Sequence, residues 1–163
     1  MKKESSELLL LDVNVLLALA WPNHQFHARA IRRLEAGRDR WATCALTQLG
    51  FIRLSSNPAV VGVRKSAWEA ASMMALLAQD RRHVYLDSLP PPGGSPFLDV
   101  YRNALGHQQV TDCYLVGLAR RHRAILLSFD TRLGAFSHPA GVVELLYDRT
   151  AFKGSKLHPE ISA

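Results

Sequence analysis

The stretch LLLLDVNVLLALA, residues 8–20, places a carboxylate inside the most apolar segment of the sequence. The uninterrupted apolar run before Asp12 is typical of a strand that is buried on both faces of a parallel sheet. The residues from Asn14 onward predict one or two helical turns, which Pro22 ends. The segment therefore predicts a buried strand that holds Asp12 at the edge of a sheet, with a helix leaving from Asn14.

The length and composition of the chain indicate one globular domain. With 163 residues, it has the size of an ordinary domain, and we predict a single domain over residues 1–163. Its 48% hydrophobic and 21% charged residues exclude a disordered or fibrous chain. No apolar run reaches the roughly 18 to 20 residues of a membrane span, so we expect no association with a membrane.

The cysteines and the N-terminus favour a cytoplasmic location. Cys44 and Cys113 form no CxxC pair, so they indicate neither a disulfide framework nor a cysteine zinc site. The apolar run near the N-terminus is interrupted by acidic and amide residues, and no small-residue cleavage site follows it, which argues against a signal peptide. We therefore expect a reducing compartment.

The positive charge of the chain is compatible with two roles. The formal net charge is +6 and the pI is about 9.7. Lys and Arg displace counterions from phosphate backbones, so a nucleic acid is a plausible partner, and a solubilising surface is an equally simple explanation. The arginines fall into groups that are not pure blocks of like charge: Arg29, Arg32, Arg33, Arg38 and Arg40; Arg81 and Arg82; and Arg120, Arg121 and Arg123.

Hydrophobic periodicity and turn residues predict an alternation of strands and helices. HVYLD, AILLSFD and VVELL are expected to be strands, WATC is a short strand or an extended linker, and KSAWEAASMMALLAQD is the clearest helix. The proline and glycine residues of SLPPPGGSP, residues 88–96, predict a loop. The order strand, helices, strand, helices, strand, strand predicts an α/β domain with a mainly parallel central sheet.

Three aspartates are predicted to meet at one edge of this sheet. Asp12 and Asp130 each end an apolar strand, and the carboxyl ends of strands form the crevice where open α/β sheets bind ligands. Asp112 opens the helix that runs down to the start of the second of these strands, so it is expected at the same edge. Each acid also has a structural alternative, because Thr111 or Asp112 can cap that helix and Asp130 can initiate a turn.

A cluster of carboxylates predicts a divalent metal site. Neighbouring carboxylates raise one another's pKa unless a cation neutralises them, and Mg²⁺ or Mn²⁺ takes oxygen ligands from a few carboxylates. Such an ion activates water and stabilises charge on a phosphodiester, which indicates nuclease or phosphotransfer chemistry. His24 and His27 lie on one helix face without an apparent third ligand, so surface histidines are the simpler interpretation. The sequence contains no G-x-G-x-x-G motif, P-loop or G-x-S-x-G elbow.

Three segments of the sequence together resemble a known family. They are LLLDVNVLLALAWPNHQFHARA at 9–30, WATCALTQLGFIRLSSNP at 41–58 and QQVTDCYLVGLARRHRAILLSFDTRL at 108–133. In this order they are similar to the successive motifs of PIN-domain proteins, specifically the VapC-type ribonuclease toxins of bacterial toxin–antitoxin modules. The resemblance extends from about residue 8 to residue 146, which leaves 147–163 as a C-terminal tail.

The resemblance implies a three-layer α/β/α domain whose acidic cluster binds Mg²⁺, or Mn²⁺, and hydrolyses RNA. The matching acids are Asp12, Asp112 and Asp130, and Asn14 is implied as a polar neighbour in the same pocket. The family pattern often has a glutamate where this chain has Gln48. An amide adds no negative charge and cannot act as a base, so Gln48 raises the question of reduced metal affinity or rate.

The resemblance also implies macromolecular partners. We expect single-stranded RNA loops as substrates, with Arg53 and Arg132 as candidate contacts to flanking phosphates. A cognate antitoxin and a homodimer of the toxin are implied as well. Two alternatives stay open: a catalytically weak PIN-like module that binds RNA or regulates, suggested by Gln48, and a phosphohydrolase, which the absence of a D-x-D pair disfavours.

Overall fold

The protein forms one parallel sheet that is covered by helices on both faces. The computed structural model describes residues 6–102, 104–136 and 141–146. The strands are β1 (Leu8–Leu11), β2 (Arg40–Cys44), β3 (His83–Leu86), β4 (Ile125–Ser128) and β5 (Val143–Leu145). Their order in the sheet is β3-β2-β1-β4-β5, and each neighbouring pair is parallel. The prediction of a mainly parallel sheet is confirmed. Strand β1, which contains the apolar run before Asp12, is the central strand of the sheet.

The helices connect these strands in the alternating manner that the sequence predicts. They are α1 (Val13–Ala20), α2 (His27–Glu35), α3 (Ala45–Ser55), α4 (Pro58–Val61), α5 (Ala67–Leu77), α6 (Ser95–Tyr101) and α7 (Val110–His122). A 3₁₀ turn at His107–Gln109 leads directly into α7, and another follows β4 at Thr131–Phe136. The short helix α4 was not predicted. It begins with Asn57 as its cap and Pro58 in its first turn, where the missing N–H of proline has no cost.

The apolar residues of β1 divide the core into two layers. Leu9 and Leu11 pack with side chains of α1, α2, α3 and α5 on one face, and Leu10 packs with α6 and α7 on the other. All three leucines are fully buried, as expected for a central parallel strand. The chain therefore has the predicted three-layer α/β/α architecture. None of the helices in the described ranges has the length and apolar character needed to cross a bilayer.

Two glycines allow helices to approach each other closely. A Cβ on Gly50 of α3 would lie 2.6 Å from a methyl group of Val13, which is the residue after Asp12. A Cβ on Gly117 of α7 would lie 2.5 Å from the ring of Phe97 in α6. Gly50 weakens the α3 helix in isolation, yet it lets α3 pack tightly against the start of α1 and so beside the edge that carries Asp12.

One arginine from the basic groups has a structural role. Arg33 of α2 places Nε and Nη2 at 2.6 and 2.9 Å from the two carboxylate oxygens of Glu144 in β5, and Nη1 at 3.0 Å from Asp39. Asp39 in turn accepts from the backbone N–H of Glu7. The guanidinium thus joins α2 to the edge strand and to the entry into β1. The predicted C-terminal tail, 147–163, lies outside the described residues.

Candidate functional site

The carboxyl ends of β1 and β4 lie side by side and define the candidate site. Leu11 pairs with Leu127, and the N–H of Asp12 donates to the carbonyl of Leu127 at 3.0 Å. This register places Asp12 opposite Ser128 at the carboxyl edge of the sheet. Asp130 follows two residues later, so the two strand-ending acids share one edge, as the sequence predicts.

Asp12 is fixed by hydrogen bonds to both of its oxygens. Oδ1 accepts from the N–H of Val13 at 2.7 Å, which makes Asp12 the N-cap of α1. Oδ2 accepts from Asn14 Nδ2 at 2.9 Å and from the hydroxyl of Ser128 at 2.6 Å. The carboxylate is only 7% exposed, so its position is set by the protein. The capping role and the position in the site are therefore compatible.

Ser128 completes a polar network that sequence reasoning missed. Its hydroxyl donates to Asp12 and accepts from Asn14 Nδ2 at 3.0 Å and from the N–H of Asp130 at 3.0 Å. Asn14 Oδ1 accepts from the N–H of Phe129 at 3.1 Å. Every hydrogen-bonding capacity of the Ser128 hydroxyl is used. The available signal was a serine in the apolar strand AILLSFD, directly before the aspartate.

Burial raises the pKa of Asp12, and the hydrogen bonds oppose this effect. Desolvation is the largest cause of the shift, the bonds from Ser128, Val13 and Asn14 lower the pKa, and the charge of Asp130 raises it. The network of donors is what a buried carboxylate requires, since a charge without partners is costly to bury.

Asp112 lies in the first turn of α7, facing the other two acids. Its pKa is raised to about 6, first by burial and then by the charges of Asp12 and Asp130, whereas Arg132 lowers it. The prediction that Thr111 or Asp112 caps this helix was wrong. The helix already begins at Val110, because the 3₁₀ turn before it continues into α7 with Gln109 at the cap position and no side-chain capping bond.

Asp130 is paired with an arginine two residues later. Nε of Arg132 lies 3.0 Å from each oxygen of Asp130, and Nη2 lies 2.5 Å from Oδ2. The backbone N–H of Arg132 also donates to Oδ1 at 2.9 Å, so Asp130 does form the local turn that was considered as its alternative role. The arginine holds the pKa of Asp130 below its ordinary value.

Gln48 and Arg53 both lie on α3 and do not take part in this acidic network. Gln48 Nε2 donates to Thr43 Oγ1 at 2.9 Å, and that oxygen lies 2.7 Å from Nε2 of His83. Gln48 is thus oriented by β2 and β3, and no hydrogen bond among the described residues joins it to Asp12, Asp112 or Asp130. Arg53 is exposed in the last turn of α3, about 12 Å along the helix from its first residue.

The three acids offer suitable donors for a hard cation, although they are not arranged as a completed metal site. Within 6–102, 104–136 and 141–146, no group of three His, Cys, Asp or Glu side chains has ligand geometry. Carboxylate oxygens are nevertheless the ligands that Mg²⁺ and Mn²⁺ prefer. Burial first and then the charges of Asp12 and Asp130 raise the pKa of Asp112, and a cation relieves the repulsion between these charges. The chemistry of the donor set fits a divalent ion. One of the donors, Asp130, is hydrogen-bonded to Arg132.

Sequence comparisons connect this geometry to known proteins. The sequence profile of the PIN domain matches residues 9–140. Ribonuclease VapC39 of Mycobacterium tuberculosis strain H37Rv is 41% identical over 140 residues, which cover 84% of this chain and 98% of that protein. Ribonuclease VapC38 of the same strain is 39% identical over 150 residues, covering 84% and 96%.

Solved structures share the same fold. The crystal structure of Mycobacterium tuberculosis VapC20, described as a sarcin–ricin loop cleaving toxin, aligns with a TM-score of 0.56 at 11% identity and covers 83% of this chain and 98% of that one. A toxin–antitoxin complex from Klebsiella pneumoniae aligns with a TM-score of 0.52 at 15% identity, covering 86% and 98%. At these identities the likeness concerns the fold alone.

Proposed function

Because this chain belongs to the PIN-domain family, with VapC ribonucleases among its relatives, we propose that it is the endoribonuclease toxin of a toxin–antitoxin pair and that it uses Mg²⁺ or Mn²⁺. The observation that carries the proposal is the convergence of Asp12, Asp112 and Asp130 at one edge of the sheet, where burial first and then neighbouring carboxylate charge raise the pKa of Asp12 and of Asp112. A nuclease of this kind needs such a cluster of oxygen ligands, together with access for a phosphodiester.

Each of the three acids would contribute to cation binding in a different way. Asp12 supplies a fixed carboxylate, because Ser128 and Asn14 set its orientation before any ion arrives. Asp112 supplies charge from α7 and Asp130 from the end of β4. When bound, a divalent ion provides an activated water nucleophile and neutralises charge on the phosphodiester.

The chemistry of the site predicts the products of cleavage. With water rather than the ribose 2′-hydroxyl as nucleophile, the RNA acquires a 5′-phosphate and a 3′-hydroxyl. Single-stranded loops are the expected targets, since their backbone is accessible. Arg132 lies at the site and is the better placed of the two arginines to contact a flanking phosphate, whereas Arg53 is at the far end of α3.

A free ribonuclease would harm its own cell, so we also propose a cognate antitoxin that covers the site. One of the structural neighbours is itself a toxin–antitoxin complex. We propose a homodimer as part of the same assignment. We also propose a cytoplasmic location, because the protein would encounter RNA and the antitoxin there.

RNA cleavage by Asp12→Asn tests the proposal. Purified protein is incubated with structured RNA and Mg²⁺, with and without a chelator. We expect chelation to stop cleavage and Asp12→Asn to reduce it by more than about 100-fold, since even groups that only orient metal ligands cost 10- to 100-fold when removed. Asn is also a good N-cap, so the start of α1 should persist. Asp99→Asn is the matched control, because Asp99 is an exposed partner of Arg102.

Expression without the antitoxin gives a second readout. The parent and Asp99→Asn should inhibit growth, and Asp12→Asn should not. RNA that stays intact while it binds the protein would instead support the regulatory module that Gln48 suggests. Sequencing the 5′ ends of cleaved cellular RNA would then identify the target.

A further inference from the structure

Arg132 covers the carboxylate of Asp130 with a fork of hydrogen bonds. Nε contacts both oxygens at 3.0 Å, and Nη2 contacts Oδ2 at 2.5 Å. The arginine side chain is 54% exposed, whereas that of Asp130 is 19% exposed. The long, flexible side chain of Arg132 therefore covers the less exposed carboxylate of Asp130 from the solvent side.

This contact places a positive charge where a hard cation would approach the same oxygens. Arg132 lowers the pKa of Asp130 and also opposes the rise in the pKa of Asp112. It therefore supplies part of the charge neutralisation that the acidic cluster requires. An ion that binds Asp130 through the same oxygens has to displace the fork.

A second position for the guanidinium lies next to the site. Arg132 forms a wall of a cavity of about 290 Å³, whose other walls are Leu105, Gly106, His107, Gln108 and Gln109. Its Nη1 already lies 3.5 Å from Oε1 of Gln108. A short rotation of the side chain away from Asp130 would keep the guanidinium at this cavity, beside the edge of the sheet that carries the acids.

We propose that Arg132 is an internal counterion that a divalent cation displaces from Asp130, and that the released guanidinium then contacts a phosphate of the RNA. The second half of this statement rests on the proposed nuclease function, whereas the first half concerns metal binding alone. The exchange is feasible because exposed ion pairs are weak and water competes for both partners. Arg132 would thus oppose metal binding and support RNA binding.

Mn²⁺ titration tests the displacement without any need for activity. The free ion is measured by electron paramagnetic resonance, or the heat of binding by calorimetry, on the intact chain. Arg132→Gln should bind Mn²⁺ about three- to tenfold more tightly than the parent, the range expected when a forked but exposed pair is removed. Arg102→Gln is the matched control. Arg102 pairs with the exposed Asp99 at 2.9 Å, so the substitution removes the same charge from a similar ion pair elsewhere. We expect its Mn²⁺ affinity to equal that of the parent.

Arg132→Lys separates the fork from simple charge repulsion. Lysine keeps the positive charge but cannot hold both oxygens of a carboxylate. The variant should bind Mn²⁺ more tightly than the parent and less tightly than Arg132→Gln. An affinity equal to that of the parent would reduce the effect to charge repulsion and overturn the displacement. The displacement is also overturned if Arg132→Gln matches the parent, if it matches Arg102→Gln, or if neither the parent nor Arg132→Gln binds Mn²⁺.

The RNA arm gives an effect of opposite sign. At saturating Mn²⁺, Arg132→Gln should raise the KM for a single-stranded RNA about three- to tenfold, the range of one exposed charged contact. In a chelator, where Arg132 stays on Asp130, the variant and Arg102→Gln should bind RNA equally. An unchanged KM would overturn the phosphate contact. If no RNA is cleaved by any variant while the Mn²⁺ affinities differ as stated, the proposed nuclease function fails and the displacement stands.

Discussion

Replacing Ser128 by Ala tests whether its hydroxyl is what allows a buried carboxylate at position 12. The substitution removes the 2.6 Å bond to Asp12, and it leaves the N–H of Asp130 and one of the two N–H groups of Asn14 Nδ2 without an acceptor, while the other still donates to Asp12. A hydrogen bond to a charged group contributes about 1.5–3 kcal/mol and a neutral one about 1 kcal/mol. Asn14 and Asp130 are only partly buried, so water can replace some of the lost hydrogen bonds. We therefore expect the free energy of unfolding to fall by about 3 kcal/mol in total.

Ser55→Ala is the control for this measurement. Ser55 and Ser128 are both fully buried, and Ser55 Oγ accepts the neutral indole N–H of Trp21 at 3.1 Å. Its loss should cost about 1 kcal/mol. Urea unfolding of both variants at pH 7 in a chelator compares them, with the slope against urea as a check that the unfolded states match. Equal losses for the two serines would refute the argument that Ser128 stabilises a charge.

Two further predictions concern packing and a half-buried histidine. Gly117→Ala should lose about 1–3 kcal/mol of stability, because the new methyl meets the Phe97 ring at 2.5 Å; Gly134→Ala, whose Cβ would lie 3.5 Å from Leu145, should be nearly neutral in the same thermal unfolding assay. Burial lowers the pKa of His83, so below the ordinary histidine pKa of about 6.5 the unfolded chain binds more protons and this residue costs stability as the pH falls. The advantage of the parent over His83→Gln should therefore shrink between pH 7 and pH 5.5, and a constant difference would contradict this.

The arrangement of the acids was predictable because it follows from local sequence and the geometry of parallel sheets. Asp12 ends an uninterrupted apolar strand, and Asp130 lies just past the end of another, so pairing the strands in parallel brings both to the same edge. Ser128 was not predictable in the same way. A serine is acceptable in many strands, and its partner is 116 positions away in the sequence. Its role appears only when the register of β1 against β4 is known.

The misjudged features share a physical cause, which is that tertiary contacts and neighbouring turns override local signals. Asp112 is a favoured capping residue, yet the 3₁₀ turn that precedes α7 places Gln109 at the cap position, three residues before Asp112. Arg33 belongs to a basic group that suggested a surface for polyanions. Its guanidinium is instead used by Glu144 and Asp39, which are brought to it by β5 and by the entry into β1.

The three acids differ in how the protein compensates their charge. Asp12 receives donors from Val13, Asn14 and Ser128, and Asp130 receives the fork of Arg132. Burial and then the charges of Asp12 and Asp130 raise the pKa of Asp112 to about 6, and the charge of Arg132 opposes this rise. Burial also raises the pKa of Asp12, so two of the three acids favour the protonated form more than an exposed aspartate does, and a divalent cation bound as proposed would favour their charged forms.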